Sequence, residues 1–117
     1  MKRGEIYIVN FGKKYNSEFG KKRPALIIQN NIANRNIDKV EFKGVSVIPL
    51  STNITTGNLR VFINGRDNLL KPSVICINEI CTLDLSRIEF NILLTSLSQE
   101  ELTEVERKLM SHLGVEN

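Results

Sequence analysis

The sequence predicts a small, mainly β domain, with a strongly bent sheet or partly open barrel and one C-terminal helix packed on it. Three observations carry this. Five or six short segments are rich in β-branched and aromatic residues. Tight-turn residues, among them Thr55-Thr56-Gly57-Asn58 and Asn64-Gly65, punctuate them. Only the last segment has a clear helical period with a cap at each end. At 117 residues the chain is long enough for one domain with one core and too short for two.

Residues 5–11, EIYIVNF, read as the first strand. Residues 12–22, GKKYNSEFGKK, read as a mobile surface loop longer than a tight hairpin needs. Its lysines alternate with Tyr15 and Phe19, which suits single-stranded nucleic acid or, equally, a hydrophobic anchor for the loop. Residues 24–30 form the second strand. Ala25-Leu26-Ile27-Ile28 is a continuous apolar run, as in a strand buried on both faces, and Pro24 suits its first position. Lys21, Lys22 and Arg23 then stand at its mouth, either as a solvated loop or as cations held by a rigid element.

Residues 31–38 are polar and turn-rich, with room for a short helical turn. Residues 43–50 give a third strand whose end carries Pro49, Ser51 and Thr52. Residues 59–63 set Leu59, Val61 and Ile63 against Arg60 and Phe62, the pattern of a half-buried strand. Residues 73–81 read as one further strand, 82–87 as a helical turn in which Asp84 and Arg87 can pair, and 88–94 as the last strand. In the closing helix Ser98 and Glu101 make a capping box, and Leu102, Val105, Leu109 and Leu113 form one stripe. Gly114 is the stop.

The formal net charge of +3 is unevenly placed. Residues 1–23 carry Lys2, Arg3, Lys13, Lys14, Lys21, Lys22 and Arg23 against Glu5 and Glu18. The segment after Leu97 carries Glu100, Glu101, Glu104, Glu106 and Glu116 against Arg107 and Lys108. A polyanion such as nucleic acid suits the first surface, and solubility accounts for the same charges nearly as well. No apolar run approaches the length of a membrane span, and the basic N-terminus lacks the uninterrupted apolar stretch of a signal peptide, so a cytosolic protein is expected.

Composition excludes several chemistries. His112 is the only histidine, placed where it complements the helix dipole, so a two-histidine acid–base pair is unavailable within one chain. No Ser-His-Asp set, phosphate-cradling glycine loop or metal-ligand cluster is present, and no cofactor is expected. Cys76 and Cys81 lie five apart in apparently extended chain, on opposite faces, and read as free thiols. Glu18, Arg23, Ser51 and Thr52 remain as polar groups near strand ends. An arginine, whose guanidinium stays protonated at any working pH, cannot easily act as a base. It stabilises charge on a phosphorane, and a hydroxyl donates a further hydrogen bond. RNA cleavage through the ribose 2′-OH needs little else, with Glu18 or a water taking the proton.

Five pieces in order resemble the MazF/PemK-like family of toxin endoribonucleases. These are Lys2-Arg3-Gly4-Glu5-Ile6-Tyr7, then Ser17-Glu18 with Lys22 through Asn30, then Val47-Ile48-Pro49-Leu50-Ser51-Thr52. The last two are Ser73-Val74-Ile75 with Glu79 through Asp84 and Arg87, and the helix ending Leu113-Gly114. The resemblance implies an SH3-like small β-barrel of CcdB/MazF type, a homodimer, and a cognate antitoxin whose acidic segments suit Lys21, Lys22 and Arg23. It implies metal-independent cleavage of single-stranded RNA, leaving a cyclic phosphate and a 5′-OH. The family's catalytic arginine falls on Arg23, its hydroxyl on Ser51 with Thr52 beside it, and its loop carboxylate on Glu18. The region of Glu79 and Thr82 would help read bases. Ser51 stands where the family commonly has threonine, Cys81 where it usually has a basic residue, and Lys21-Lys22 where glycines are frequent. A second reading of the same fold is a CcdB-type inhibitor that binds gyrase and cuts nothing; a third is an RNA-binding homologue without activity.

Overall fold

The computed structural model describes residues 1–12 and 21–115. Strand β1 (Glu5–Asn10) pairs antiparallel with β2 (Lys22–Ile27), from Ile6↔Leu26 to Asn10↔Lys22. The second strand thus starts earlier than the sequence suggests, and Pro24 is its third residue. Pro24 is tolerated because the ladder between β2 and β3 (Gly44–Ser51) begins only at Ala25↔Pro49, leaving it one open edge. Between these strands a short helix, α1 (Asn31–Arg35), is capped by Asn30, whose side chain accepts from the Ala33 N–H at 2.8 Å.

Strand β3 organises the sheet. One edge pairs with β2 through Ile27↔Val47. Its other edge takes two partners in turn. Residues from Gly44 to Val47 pair with β6 (Cys81–Asp84), and Leu50 and Ser51 pair with β5 (Ser73–Cys76). Pro49, which has no N–H to give, sits at the changeover. Strand β4 (Arg60–Ile63) pairs with β5 and forms one end of the sheet. At the other end β7 (Ile88–Glu89) and β8 (Thr95–Ser96) both pair with β1. The path β4-β5-β3-β2-β1-β7 does not close, so the fold is a barrel-like open sheet, mainly antiparallel β with a C-terminal helix.

Three stretches differ from expectation. Residues 73–81 are not one strand: β5 ends at Cys76, a 3-10 turn covers Ile77–Glu79, and β6 begins at Cys81. The run reads as one strand because Ile75, Cys76 and Ile77 are all buried, and a fully apolar run shows no period. Cys81 stands opposite Val47, and Cys76 lies one residue beyond the pair Leu50↔Ile75, opposite Pro49. The two thiols therefore lie along the same edge of β3 instead of on opposite faces of one strand; both are free. The expected strand over 88–94 shrinks to Ile88–Glu89, and the expected helical turn over 82–87 to Leu85–Arg87. Asp84 caps that turn by accepting from the Ser86 N–H at 2.9 Å, and Arg87 donates to the Asn10 carbonyl at 3.2 Å.

Helix α2 (Gln99–Leu113) forms as its caps dictate. Ser98 Oγ accepts from the Glu101 N–H, Glu101 Oε1 accepts from the Ser98 N–H, and Gly114 takes φ 75°. The same Glu101 carboxylate receives a bidentate pair from Arg66, at 2.7 and 2.8 Å, which ties the loop after β4 to the helix start. Val105 is fully buried and Leu102 and Leu109 pack beside it, but Leu113 is exposed, so the stripe ends a turn early.

Alternation along the strands builds a core on each face of the sheet. Ile6, Leu26, Ile48, Leu50 and Ile75 pack with Val105 of α2; Tyr7, Val9, Ala25, Ile27, Val45 and Val47 pack on the other side. The run Ala25–Ile28 is thus buried on both faces, as its lack of alternation predicts. Among the described residues no helix is long and apolar enough to cross a membrane.

Tyr7 carries a pH prediction. Its hydroxyl donates to Glu5 Oε1 at 2.9 Å, and its ring meets Phe90 edge-on. Burial, then the hydrogen bond and the charge of Glu5, push the phenol up to about 12. The unfolded chain releases this proton near pH 10. Between those values the folded state binds more protons, so this contribution is whole below pH 10 and falls as pH rises towards 12. Thermal melts across that window are expected to fall more steeply for wild type than for Tyr7→Phe. Parallel slopes would refute the assignment.

Candidate active site

Arg23 is held by the register of β1 and β2, directly opposite Val9. The β2–β3 ladder ends at Ala25↔Pro49; Arg23 lies two residues before Ala25 and Ser51 two residues after Pro49, so the same register carried on sets the two against each other on one face. Ser51 is the last residue of β3 and lies opposite Val74. Its Oγ accepts from the Asn53 N–H at 3.1 Å, which fixes the oxygen and leaves the hydroxyl hydrogen to donate. Arg23 is half-buried, so its charge is only partly screened. Cys76 registers it. Burial pushes that thiol up and Glu79 adds to the effect, while Arg60 and then Arg23 oppose it. Arg60 shares that face of the sheet, because it stands directly opposite Cys76. Burial and Glu79 also push up the Cys81 thiol.

The other residues singled out in the sequence are sorted by alternation. Lys22 faces away from Arg23 and pairs with Glu89 at 2.7 Å. Lys21 is exposed at φ 64°, donating its N–H to the Gly12 carbonyl and accepting from the Phe11 N–H. Three adjacent bases in the sequence are thus three separate environments. Thr52 does not join Ser51. It lines a cavity of about 280 Å³ with Ile8, Pro24, Leu69 and Leu70. Glu79 closes the 3-10 turn between β5 and β6, two residues before Cys81. Thr82 turns away from the Cys81 face, its Oγ1 3.2 Å from Ser46 Oγ. Glu18, Tyr15 and Phe19 lie outside the described residues. Among the described residues no group of three His, Cys, Asp or Glu is placed to hold a metal ion.

Sequence reasoning missed Arg60 and Phe62 as neighbours of the site. Their signal was present: both occupy the solvent-side positions of a half-buried strand. An aromatic residue on that side, 51% exposed, is the unusual feature.

A family model of the PemK-like, MazF-like toxins of type II toxin–antitoxin systems matches residues 2–113. The chain belongs to this family. Among MazF-like relatives, the endoribonuclease MazF of Staphylococcus epidermidis is 30% identical over 120 residues, spanning all of this chain and 94% of the relative. The crystal structure of MazF from Deinococcus radiodurans is similar at TM-score 0.77 and 26% identity, over 98% of this chain and 97% of that one. An endoribonuclease in complex with its cognate antitoxin, from a mycobacterial species, shares the fold at TM-score 0.76 and 21% identity, over 100% and 98% of the two chains. The antiparallel sheet with a C-terminal helix is the MazF-like fold.

Proposed function

We propose that this MazF-like toxin is an endoribonuclease that cleaves single-stranded RNA without a metal ion, through attack of the ribose 2′-OH. The adjacency of Arg23 and Ser51 at the end of the β2–β3 pair carries the reading. A guanidinium stays protonated throughout and presents a rigid fork of donors to phosphate oxygens. As the 2′-oxygen attacks phosphorus, the non-bridging oxygens gain charge, and Arg23 with the Ser51 hydroxyl donates to them. The 5′-oxygen leaves and protonates, giving a 2′,3′-cyclic phosphate and a 5′-OH end. Glu18 or a water takes the 2′-OH proton. Thr52, which follows the end of β3 and borders the cavity beside Pro24 and Leu69, contributes little. Lys21 on its exposed turn and Glu79 beside Cys76 flank the path of the RNA. Lys22, already paired with Glu89, has a smaller part in it, and Thr82, bonded to Ser46, sits at its margin.

The toxin works in the cytoplasm as a homodimer, and a cognate antitoxin with acidic segments restrains it. The reading is tested by incubating a long unstructured RNA with the protein in excess EDTA and mapping the ends. Discrete cuts at a recurring short motif, each with a 5′-OH, are expected. RNA left intact by folded, antitoxin-free protein sinks the metal-free nuclease. A gyrase-inhibition assay then decides for the CcdB-type alternative.

A further inference from the structure

Two rows of side chains cross one face of the sheet. Along the first, the β2–β3 register carried two residues past Ala25↔Pro49 sets Arg23 against Ser51, Ser51 is opposite Val74, and Val74 is opposite Phe62. In the second row, on that face, Cys76 is opposite Arg60. Directly opposed residues of antiparallel strands share a face. The pull of both Arg23 and Arg60 on the Cys76 thiol agrees with that placement. Val74 and Cys76 form a buried floor, and Phe62 rises from it. Two strand spacings put Phe62 about 10 Å from Ser51.

Phe62 is half-exposed although its neighbours Val61 and Ile63 are each 2% exposed. Two residues before it, Arg60 borders a cleft of about 500 Å³ together with residues 55–59 and Asn78. Arg60 is held at both ends. Its carbonyl accepts from Lys108 Nζ at 2.7 Å, and its Nη1 donates to Asn78 Oδ1 at 2.6 Å and the Leu59 carbonyl at 2.9 Å. Both guanidinium bonds use Nη1, so among the described residues Nε and Nη2 keep their donors for a ligand. An exposed ring with a fixed cation and a cleft beside it, on the face of a phosphate-directed site, matches the pairing of base stacking and phosphate contact that holds single-stranded RNA.

We propose that Phe62, Arg60 and Asn78 form a nucleotide subsite flanking Arg23 and Ser51, in which Phe62 stacks on a base adjoining the scissile phosphate and Arg60, positioned by Asn78, binds the neighbouring phosphate. This rests on the endoribonuclease reading and adds to it a residue that sets which flanking base is accepted.

The chain has no tryptophan, so Phe62→Trp introduces a single reporter. In a Phe62→Trp, Arg23→Ala protein, expected to cut too slowly to consume the RNA during the titration, unstructured single-stranded RNA is expected to quench the emission saturably. A duplex of equal length is not. Phe62→Ala alone is expected to raise KM about five- to hundredfold, the range of one lost stacking contact, with kcat within about threefold, and to alter the flanking base at the mapped cuts. Arg60→Ala is expected to flatten the salt dependence of RNA binding by roughly 0.7 in the log–log slope. Unchanged emission on RNA that a gel shift shows to be bound overturns the subsite. So does an unchanged KM with unchanged flanking bases, or a Phe62→Ala protein that elutes as a smaller species, which assigns the ring to a subunit interface. Wild-type protein that neither binds nor cuts RNA removes the endoribonuclease reading first, and the subsite with it.

Discussion

Arg23→Ala is expected to lower the rate of RNA cleavage by roughly a hundred- to a thousandfold, the usual loss when one donor to a developing oxyanion is removed. The reason is positional. The backbone of Arg23 belongs to the β1–β2 ladder opposite Val9, so the guanidinium is carried by a rigid element and needs little reorganisation when charge develops. The substitution removes no buried apolar group, and the melting temperature is expected to move by only a few degrees. Arg23→Lys keeps the charge but loses the fork and is expected to recover only part of the rate. Ser51→Ala is expected to lose about as much as Arg23→Ala. Thr52→Ala is expected to stay within a few-fold of wild type, because Thr52 lines the cavity beside Pro24 and Leu69. The check is single-turnover cleavage of one RNA carrying the mapped motif. Equal losses for Ser51→Ala and Thr52→Ala would show that the face assignment is wrong; full activity of Arg23→Ala would remove the arginine from the mechanism.

Ile48→Ala is expected to cost about 2–5 kcal/mol, out of a total stability of about 5–15 kcal/mol for a domain of this kind. Ile48 is fully buried, stands opposite Leu26, and packs in the core between the sheet and α2. Its loss leaves a cavity that the paired strands on either side cannot collapse into, so the transfer and cavity contributions add. A melting temperature roughly 10 °C lower or more is expected, read by circular dichroism. Leu70→Ala is the contrast: Leu70 is 84% exposed and its truncation is expected to stay within about 0.5 kcal/mol. Ile48 also leads along β3 to Ser51, so the variant should lose cleavage in parallel with its folded fraction, and the surviving folded protein should keep its specific activity.

The elements legible in the sequence are those whose causes lie within a few residues. The capping box of Ser98 and Glu101 and the left-handed stop at Gly114 form as read, because a cap is made by the residues that flank it. The burial of Ala25–Ile28 on both faces was legible because an unbroken apolar run has no solvent side. Strand limits were less so. Lys22 and Arg23 joined β2 because the facing residues Asn10 and Val9 were there to pair with them. The run 73–81 broke at Ile77–Glu79 because β3 offers two successive partners along one edge, and that edge is remote in the chain.

The sequence by itself determined the fold class, the closing helix and the family, through patterns that are local or that recur in fixed order along the chain. It also supplied Arg23 and Ser51 as the candidate pair, through the resemblance. Only the tertiary structure decided which neighbours share a face. It separated Arg23 from Lys22 and Ser51 from Thr52, drew Cys76 and Cys81 to one strand edge, and set Arg60 and Phe62 beside the pair. The physical reason is the register. A strand has a side-chain period of two, and a shift of one residue against its partner moves every side chain to the other face. That register is chosen by strands tens of residues away, through which side chains they can bury together.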